Sequence, residues 1–315
     1  MRKISLEQTV SWLIEHDNIE ILTHDNPDGD TVGSAYALCM ALQDLGKNTR
    51  VLTPCAVPVK FRAFGEKIKA QDFTAEYVVS VDVAALSLLG SLEKNYAEHI
   101  DLCIDHHGSN SVPAESTYLD PSAAAVGEMM FEIIKNLGVE MTKEIASAIY
   151  LAVSTDTGCF RYSNTTSRTL RICAELLELG VENGEINYMI FDQKSREKVL
   201  LERRVYETLT YFCGGKGAMI AITNDMLHEL GTDDSETEGL ASIPRQIEGV
   251  LIGMTIREKE DGCFKISVRT NGKVNACNFC MKFGGGGHPA AAGCTVSGTL
   301  EEVKEKLIKA AEEFL

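Results

Sequence analysis

Apolar residues recur at helical spacing from near the start of the chain. Ser5 and Gln8 form a capping box, and Val10, Leu13 and Ile14 then define one helix face until Asn18 interrupts it. Ile19 to Thr23 is a short apolar run. A polar turn follows it, and Val32, Ala35, Leu38, Cys39, Leu42 and Leu45 resume the helical period before Gly46 closes it. Strand, loop and helix are therefore expected in that order. Further strands are expected at Arg50 to Thr53, Tyr77 to Val81 and Ile100 to Ile104, each ending in a polar segment. Helices are expected at about 122–137, stopped by Gly138, and at 142–153, capped by Thr142. Strands interleaved with helices predict an α/β domain built on a parallel sheet covered on both faces.

From Asp192 to Thr210 the chain becomes densely charged, with Val199, Leu200, Val205, Tyr206 and Leu209 interspersed, and an exposed linking helix is expected there. The pattern changes again after Gly214 and Gly215. Strands are expected at about 217–222, 250–257 and 263–269, and helices near 224–230, 238–248 and 299–314. Asp261-Gly262 reads as a hairpin turn, so antiparallel strands enter this part. The expected organisation is an N-terminal domain over 1–190, a linking helix over 191–211 and a smaller α/β C-terminal domain over 212–315.

Charge narrows the function. The 315 residues carry 30 Lys or Arg against 46 Asp or Glu, a formal net charge of −16, which excludes a basic nucleic-acid scaffold. Long polyanionic strands are repelled globally, whereas a short anion can still enter a locally positive or metal-charged cleft. At 7% aromatic, the chain offers no stacking array for long single strands. No stretch approaches the ~18 apolar residues of a membrane span, and the N-terminus turns acidic and amphipathic where a signal peptide would turn apolar. The ten cysteines are scattered, with Cys39, Cys103 and Cys173 inside apolar runs, which suits buried thiols in a reducing compartment. A cytoplasmic protein with no membrane partner is expected.

Acids and histidines fall where the expected strands end, the edge at which open α/β sheets hold their ligands. In His24-Asp25-Asn26-Pro27-Asp28-Gly29-Asp30 a tight turn lets His24, Asp28 and Asp30 converge. Asp82 follows one strand, Asp105-His106-His107 follows another, and Asp156 follows the apolar helical run Ile145 to Val153. A carboxylate at a buried strand end needs a compensating charge. Carboxylates and imidazoles without thiolates suit Mn²⁺ or Mg²⁺. Asp28, Asp30, Asp82 and Asp156 carry enough negative charge for two divalent cations sharing Asp82. Such a pair can lower the pKa of a bridging water towards about 7 and brace both oxygens of a displacement at phosphorus.

These motifs, with Gly33-Ser34, resemble the four motifs of the DHH phosphoesterases, and Phe283-Gly284-Gly285-Gly286-Gly287-His288-Pro289-Ala290-Ala291-Ala292-Gly293 resembles the signature of the DHH-associated C-terminal domain. Together they span nearly the whole chain, and their order and size resemble the stand-alone nanoRNase and pAp phosphatase branch (NrnA-like, with RecJ-type domains). The resemblance implies one metal on His24, Asp28 and Asp82 and another on Asp30, Asp82, His106 and Asp156. It implies His107 facing the scissile phosphate, with Asp105 orienting a histidine, so that His107, Asp82 and Asp105 form the catalytic set.

Four consecutive glycines, Gly284 to Gly287, let backbone N–H groups approach an anion, and His288 follows directly. This loop is expected to clamp the terminal nucleotide of the substrate, with Arg269 as its phosphate partner and Arg161 as a further candidate. The resemblance implies a Mn²⁺-dependent phosphoesterase that cuts di- to pentanucleotides of RNA or DNA, pAp and pApA to nucleoside monophosphates. Homodimers are common in that branch. The rivals are a cyclic-dinucleotide phosphodiesterase acting on c-di-AMP and a non-catalytic nucleotide sensor; a manganese pyrophosphatase would end in a different C-terminal domain. Cys277-x-x-Cys280 reads as core packing, with no second pair nearby to complete a zinc site.

Overall fold

The computed structural model describes residues 2–237, 239–259 and 262–315, and the chain divides into two units, one ending at Gln193 and the other spanning Lys194–Leu315. The first unit is an α/β layer structure. Its strands are β1 (Arg2–Lys3), β2 (Ile19–Leu22), β3 (Thr49–Leu52), β4 (Tyr77–Val81), β5 (Leu102–Asp105) and β6 (Ser116–Leu119). They form one sheet in the order β1-β6-β5-β4-β2-β3, and every neighbouring pair is parallel.

Side chains alternate across this sheet with the two-residue period of a strand. Ile19, Ile21, Val79, Val81, Leu102 and Ile104 pack with the helices in the main core. Leu22, Val78 and Cys103 turn to the other face and pack with Leu89, Ile100 and Val112, so there the cover is made of loops and short helical turns. The main helices are α1 (Leu6–Glu15), α2 (Gly29–Asp44), α3 (Val126–Leu137), α4 (Lys143–Asp156) and α5 (Ser167–Glu178).

Chain direction across the sheet decides where a crevice opens. From β2 the chain passes through α2 to β3 on one side, while β4 returns to the opposite side of β2. The order therefore reverses between β2 and β4, and the carboxyl ends of these two strands flank a topological switch point. The helices are pinned there by glycine. A Cβ on Gly33 of α2 would meet the Ala148 carbonyl oxygen at 2.3 Å, and one on Gly127 of α3 would meet Ala152 Cβ at 2.6 Å, so both helices approach α4 at backbone distance.

The second unit contains α6 (Arg196–Glu207), β7 (Thr210–Phe212), β8 (Gly217–Ile222), α7 (Asn224–Glu229), β9 (Ile252–Glu258), β10 (Cys263–Thr270), α8 (Ala276–Met281), β11 (Gly286–Gly287), β12 (Ala291–Ser297) and α9 (Leu300–Ala311). Its sheet has the order β11-β12-β10-β9-β8-β7, parallel between β8 and β9 and antiparallel elsewhere. Ile256, Ile266 and Cys294 meet across the sheet in a core shared with Phe279, Val303 and Leu307. Leu201 and Val205 of α6 pack with Ile220 and Ile222 of β8, so the charged helix buries one stripe and leaves Val199 and Leu200 exposed.

Several elements differ from the sequence pattern. The helix expected at 122–137 starts only at Val126, because Ala125 is extended (φ −157°) and the Asp120 carboxylate holds the Ser122 N–H in a turn. The helix expected at 142–153 runs one turn further, so Asp156 is its last residue. Over 239–248 there are two short 3-10 turns, Leu240–Ser242 and Pro244–Gln246, in place of a helix, since Pro244 has no N–H and its ring opposes a preceding helical turn; residue 238 lies outside the described residues. So does Asp261 of the expected hairpin turn, whose Gly262 is left-handed at φ +67°. Helix α5 is additional. Its capping box of Thr166 and Thr169 and its buried Ile172, Cys173 and Leu176 are regular helix features.

Candidate functional site

Each acidic motif of the first unit is delivered by the end of a regular element. Asp28 caps α2, accepting the N–H groups of Asp30 and Thr31 at 3.0 and 3.2 Å. It faces His24, which follows β2: His24 Nε2 lies 3.5 Å from Asp28 Oδ1 and 3.7 Å from Asp82 Oδ2. Thr31 Oγ1 donates to the Val81 carbonyl at 2.9 Å, tying the first turn of α2 to the end of β4, where Asp82 adopts a left-handed conformation at φ +59°. A left-handed non-glycine residue persists only where its surroundings hold it.

The other carboxylate oxygen of Asp82 belongs to a second group. Asp82 Oδ1 is 3.7 Å from His106 Nε2, which in turn lies 3.5 Å from Asp156 Oδ2 and 4.0 Å from Asp30 Oδ2. Asp82 therefore stands between a His24–Asp28 group and an Asp30–His106–Asp156 group. In each, the ligand atoms lie within 4.8 Å of one another.

These separations exceed hydrogen-bond length and match the spacing of two oxygen or nitrogen donors around one cation with bonds of about 2.1 Å. Asp82 Oδ1 is buried with no hydrogen-bond partner. Asp30 and Asp82 are only 1% and 4% exposed, so their charges need compensation close by. Burial, with the neighbouring carboxylates, pushes both well above the ordinary carboxyl pKa; for Asp30 the N–H groups of Val126 and Gly127 oppose the rise. Burial also raises Asp156, against the charges of the histidines. Burial acts upward on Asp28 too, but the neighbouring His24 imidazole and the α2 N–H groups outweigh it and hold Asp28 low. The donor set fits divalent cations.

Hydrogen bonds select the histidine tautomers. His24 Nδ1 donates to the Asp25 carbonyl at 2.8 Å and His106 Nδ1 to the Ala123 carbonyl at 3.0 Å. A carbonyl only accepts, so each Nδ1 carries a proton and Nε2 is the ring nitrogen turned to the carboxylates, the atom whose lone pair would be offered to a cation by the neutral imidazole. His107 is arranged differently. Its Nδ1 meets Asp105 Oδ1 at 2.8 Å, while Asp105 itself is fully buried, receiving Asn110 Nδ2 at 2.6 Å and the His106 N–H at 2.8 Å. The Asp105 hydrogen bond raises the His107 pKa; burial works upward on Asp105, but its bonds to His107 and Asn110 keep it low. Asp105 thus orients His107, whose side chain is 43% exposed.

Four further residues complete this end of the unit. Ser34 Oγ donates to Asp30 Oδ1 at 3.1 Å, Thr31 ties α2 to β4, and Asn110 and Asn164 fix Asp105 and the end of α4. Ser34 belongs to a motif visible in the sequence. Asn110 lies five residues from Asp105 and Asn164 eight from Asp156, and no motif in the sequence singles either of them out. Arg161 is exposed, and its Nε donates to the Gly158 carbonyl at 2.7 Å.

In the second unit the four glycines are not one loop. Gly286 and Gly287 form β11 on Gly293 and Ala292. A Cβ on Gly285 would meet the Gly293 carbonyl oxygen at 2.2 Å and one on Gly287 the Ala291 carbonyl oxygen at 2.7 Å, whereas Gly286 faces open space and Gly284 is left-handed at φ +71°. His288 is exposed and closes a tight turn with Ala291. Arg269 is half-buried near the end of β10, on the sheet face of Lys265 and Ser267, opposite the buried Phe264, Ile266 and Val268. Cys280 is buried and Cys277 half-buried in the apolar core.

Residues 18–153 match the DHH family, N-terminal domain, and residues 215–315 match the DHHA1 domain. The chain is 34% identical to the bifunctional oligoribonuclease and PAP phosphatase NrnA of Thermus thermophilus, over 94% of this chain and 90% of that one. It is 27% identical to the protein of the same name from Bacillus subtilis, over 93% of each. Among solved structures it resembles an exopolyphosphatase-related protein from Bacteroides fragilis, with a TM-score of 0.89 and 26% identity, covering 98% of this chain and 95% of that one. With acids and histidines at its strand ends in the first unit and its glycine-rich β11 in the second, the chain belongs to the DHH family of phosphoesterases, in the group whose second domain is DHHA1.

Proposed function

We propose that the chain hydrolyses di- to pentanucleotides and pAp to nucleoside monophosphates, using two divalent cations, Mn²⁺ in preference to Mg²⁺. His24, Asp28 and Asp82 hold one cation, and Asp30, Asp82, His106 and Asp156 the other. The observation that carries this reading is the division of Asp82, whose two oxygens face different histidines and of which one is buried without a partner. Bound cations supply Lewis acidity and a water acidic enough to be deprotonated near neutral pH. The relatives from Thermus thermophilus and Bacillus subtilis, named as oligoribonuclease and PAP phosphatase, support the substrate class.

The residues around the cations divide the remaining work. His107 keeps Nδ1 on Asp105 and turns its exposed ring towards substrate, where its raised pKa favours an imidazolium that stabilises developing charge or protonates the leaving oxygen. Arg161 offers the part of its guanidinium not bonded to Gly158 to a phosphate. In the second unit, Arg269, the Gly284 to Gly287 backbone and His288 bind the terminal nucleotide. Gly286 is the point of closest approach, because nothing else occupies the space beside it. The net charge of −16 favours short substrates over long polyanions, and the reaction is a cytoplasmic one.

A substrate panel tests this. With Mn²⁺, the purified protein is expected to cut pAp, a 5′-labelled dinucleotide and pApA well, c-di-AMP poorly and a long oligonucleotide least. Intact pAp and dinucleotide, under conditions where a general phosphodiester substrate is cleaved, would overturn the proposal.

A further inference from the structure

The five residues from Ala123 to Gly127, just before and within the first turn of α3, hold one of the two ligand groups and not the other. The Ala123 carbonyl accepts His106 Nδ1 at 3.0 Å. The Val126 and Gly127 N–H groups donate to the two carboxylate oxygens of Asp30 at 2.7 and 2.9 Å. The Ala124 carbonyl accepts Asn164 Nδ2 at 3.0 Å, and the same nitrogen donates to the Asp156 carbonyl at 3.1 Å. Asp30, His106 and Asp156 are therefore all referenced to one buried stretch of backbone. By contrast, His24 is held by its own loop, and Asp28 by the first turn of α2.

Asn164 is the part of this arrangement that a substitution can remove. Beyond Asp156 the chain passes through three consecutive left-handed residues, Gly158 (φ +56°), Cys159 (φ +55°) and Phe160 (φ +63°). For Cys and Phe this conformation is costly and must be imposed from outside. Asn164 closes the excursion, bonding back to the carbonyl of Asp156 on its near side. Two carbonyls 32 residues apart (156 − 124) require two donors on one short side chain. A carboxamide has them, a serine hydroxyl has one, and a carboxylate has none.

We infer that Asn164 is a positioning residue for the Asp30–His106–Asp156 cation: it fixes the end of α4 against the Ala123 to Gly127 backbone, and its loss weakens that cation while sparing the one on His24 and Asp28. The inference rests on the two-cation reading above.

Titrating the metal-free full-length chain with Mn²⁺, followed by calorimetry and by the electron paramagnetic resonance of free Mn²⁺, tests both in order. Wild type binds two ions in the two-cation reading. Asn164→Asp and Asn164→Ser are expected to keep one at wild-type affinity and to bind the other about 10- to 100-fold more weakly, with kcat for a dinucleotide restored at high Mn²⁺ and KM little changed. Far-ultraviolet circular dichroism in EDTA identifies which variant is folded, and Asn164→Ser, which adds no charge, decides if Asn164→Asp is not. A merely structural asparagine would lower the melting temperature and leave both affinities in their wild-type ratio. That result, or two unchanged sites, overturns the inference. A wild type that binds fewer than two ions overturns the two-cation reading, and the inference with it.

Discussion

Asp82 concentrates the conflict of the site in one side chain: it is buried, left-handed, set against three histidines (His24, His106 and His107) and surrounded by other carboxylates. Asp30 and Asp82, both held above the usual carboxyl pKa by burial and by their acidic neighbours, protonate more readily in the folded chain than in the unfolded one. The stability this contributes is complete below the ordinary carboxyl pKa of about 4 and is lost as pH rises through the higher folded values. In EDTA the melting temperature is therefore expected to fall from pH 5 to pH 8, and excess Mn²⁺ to remove the fall; scanning calorimetry at several pH values checks this. Asp28 and Asp105, held low, act with the opposite sign and lose their contribution in acid. Asp82→Asn is expected to abolish both Mn²⁺ binding and turnover, yet to melt above the wild type in EDTA at pH 8, by about 2–4 °C per kcal/mol of relieved repulsion. A variant that lost activity and also melted lower would show Asp82 to be a structural hydrogen-bond acceptor instead.

At the scale of elements, glycine decides which helices can carry ligands together. Gly33 lets α2 meet α4 at backbone distance, and these helices carry Asp30 and Asp156. Gly33→Ala has nowhere to place its Cβ against the Ala148 carbonyl, and overpacking of this kind costs typically 1–3 kcal/mol, about one methyl's worth of forced displacement. Urea unfolding should show that loss, and Mn²⁺ titration a weaker Asp30–His106–Asp156 site. The glycines of the second unit separate structure from recognition. Gly285→Ala is expected to destabilise that unit because its Cβ would strike β12, whereas Gly286→Ala finds open space and should fold as the wild type does. If Gly286 is where backbone approaches the nucleotide, its alanine variant raises KM for dinucleotides with little change in melting; an unchanged KM would remove it from the binding set.

For the whole molecule, two units with separate apolar cores carry different chemistry. Among the described residues, the acid and histidine groups that could hold a cation lie in the first, and the glycine-rich β11 with Arg269 in the second. A cation that binds only the native first unit stabilises it by mass action, about 2.7 kcal/mol at a hundredfold excess over Kd. Calorimetry of the full chain is expected to show Mn²⁺ raising one transition more than the other, and a uniform shift would show that the units melt together. No helix of the described residues is long and apolar enough to cross a membrane.

Periodicity was enough to read the parallel α/β first unit and the mixed second sheet, because strand and helix periods are local; motif spacing put His24, Asp28, Asp30, Asp82, Asp105-His106-His107 and Asp156 at the ends of elements, and the choice of His106 among them came from the family resemblance. They did not reveal that Pro244 breaks a helix into turns, that α3 starts only at Val126, or that α5 exists. Nor did they show which oxygen of Asp82 serves which histidine, or that Asn110 steadies Asp105 and Asn164 the end of α4. Local sequence determines which residues stand at the edge of the sheet. Their donors, tautomers and partners depend on backbone groups brought in from distant segments, and those meet only when the helices pack across glycine.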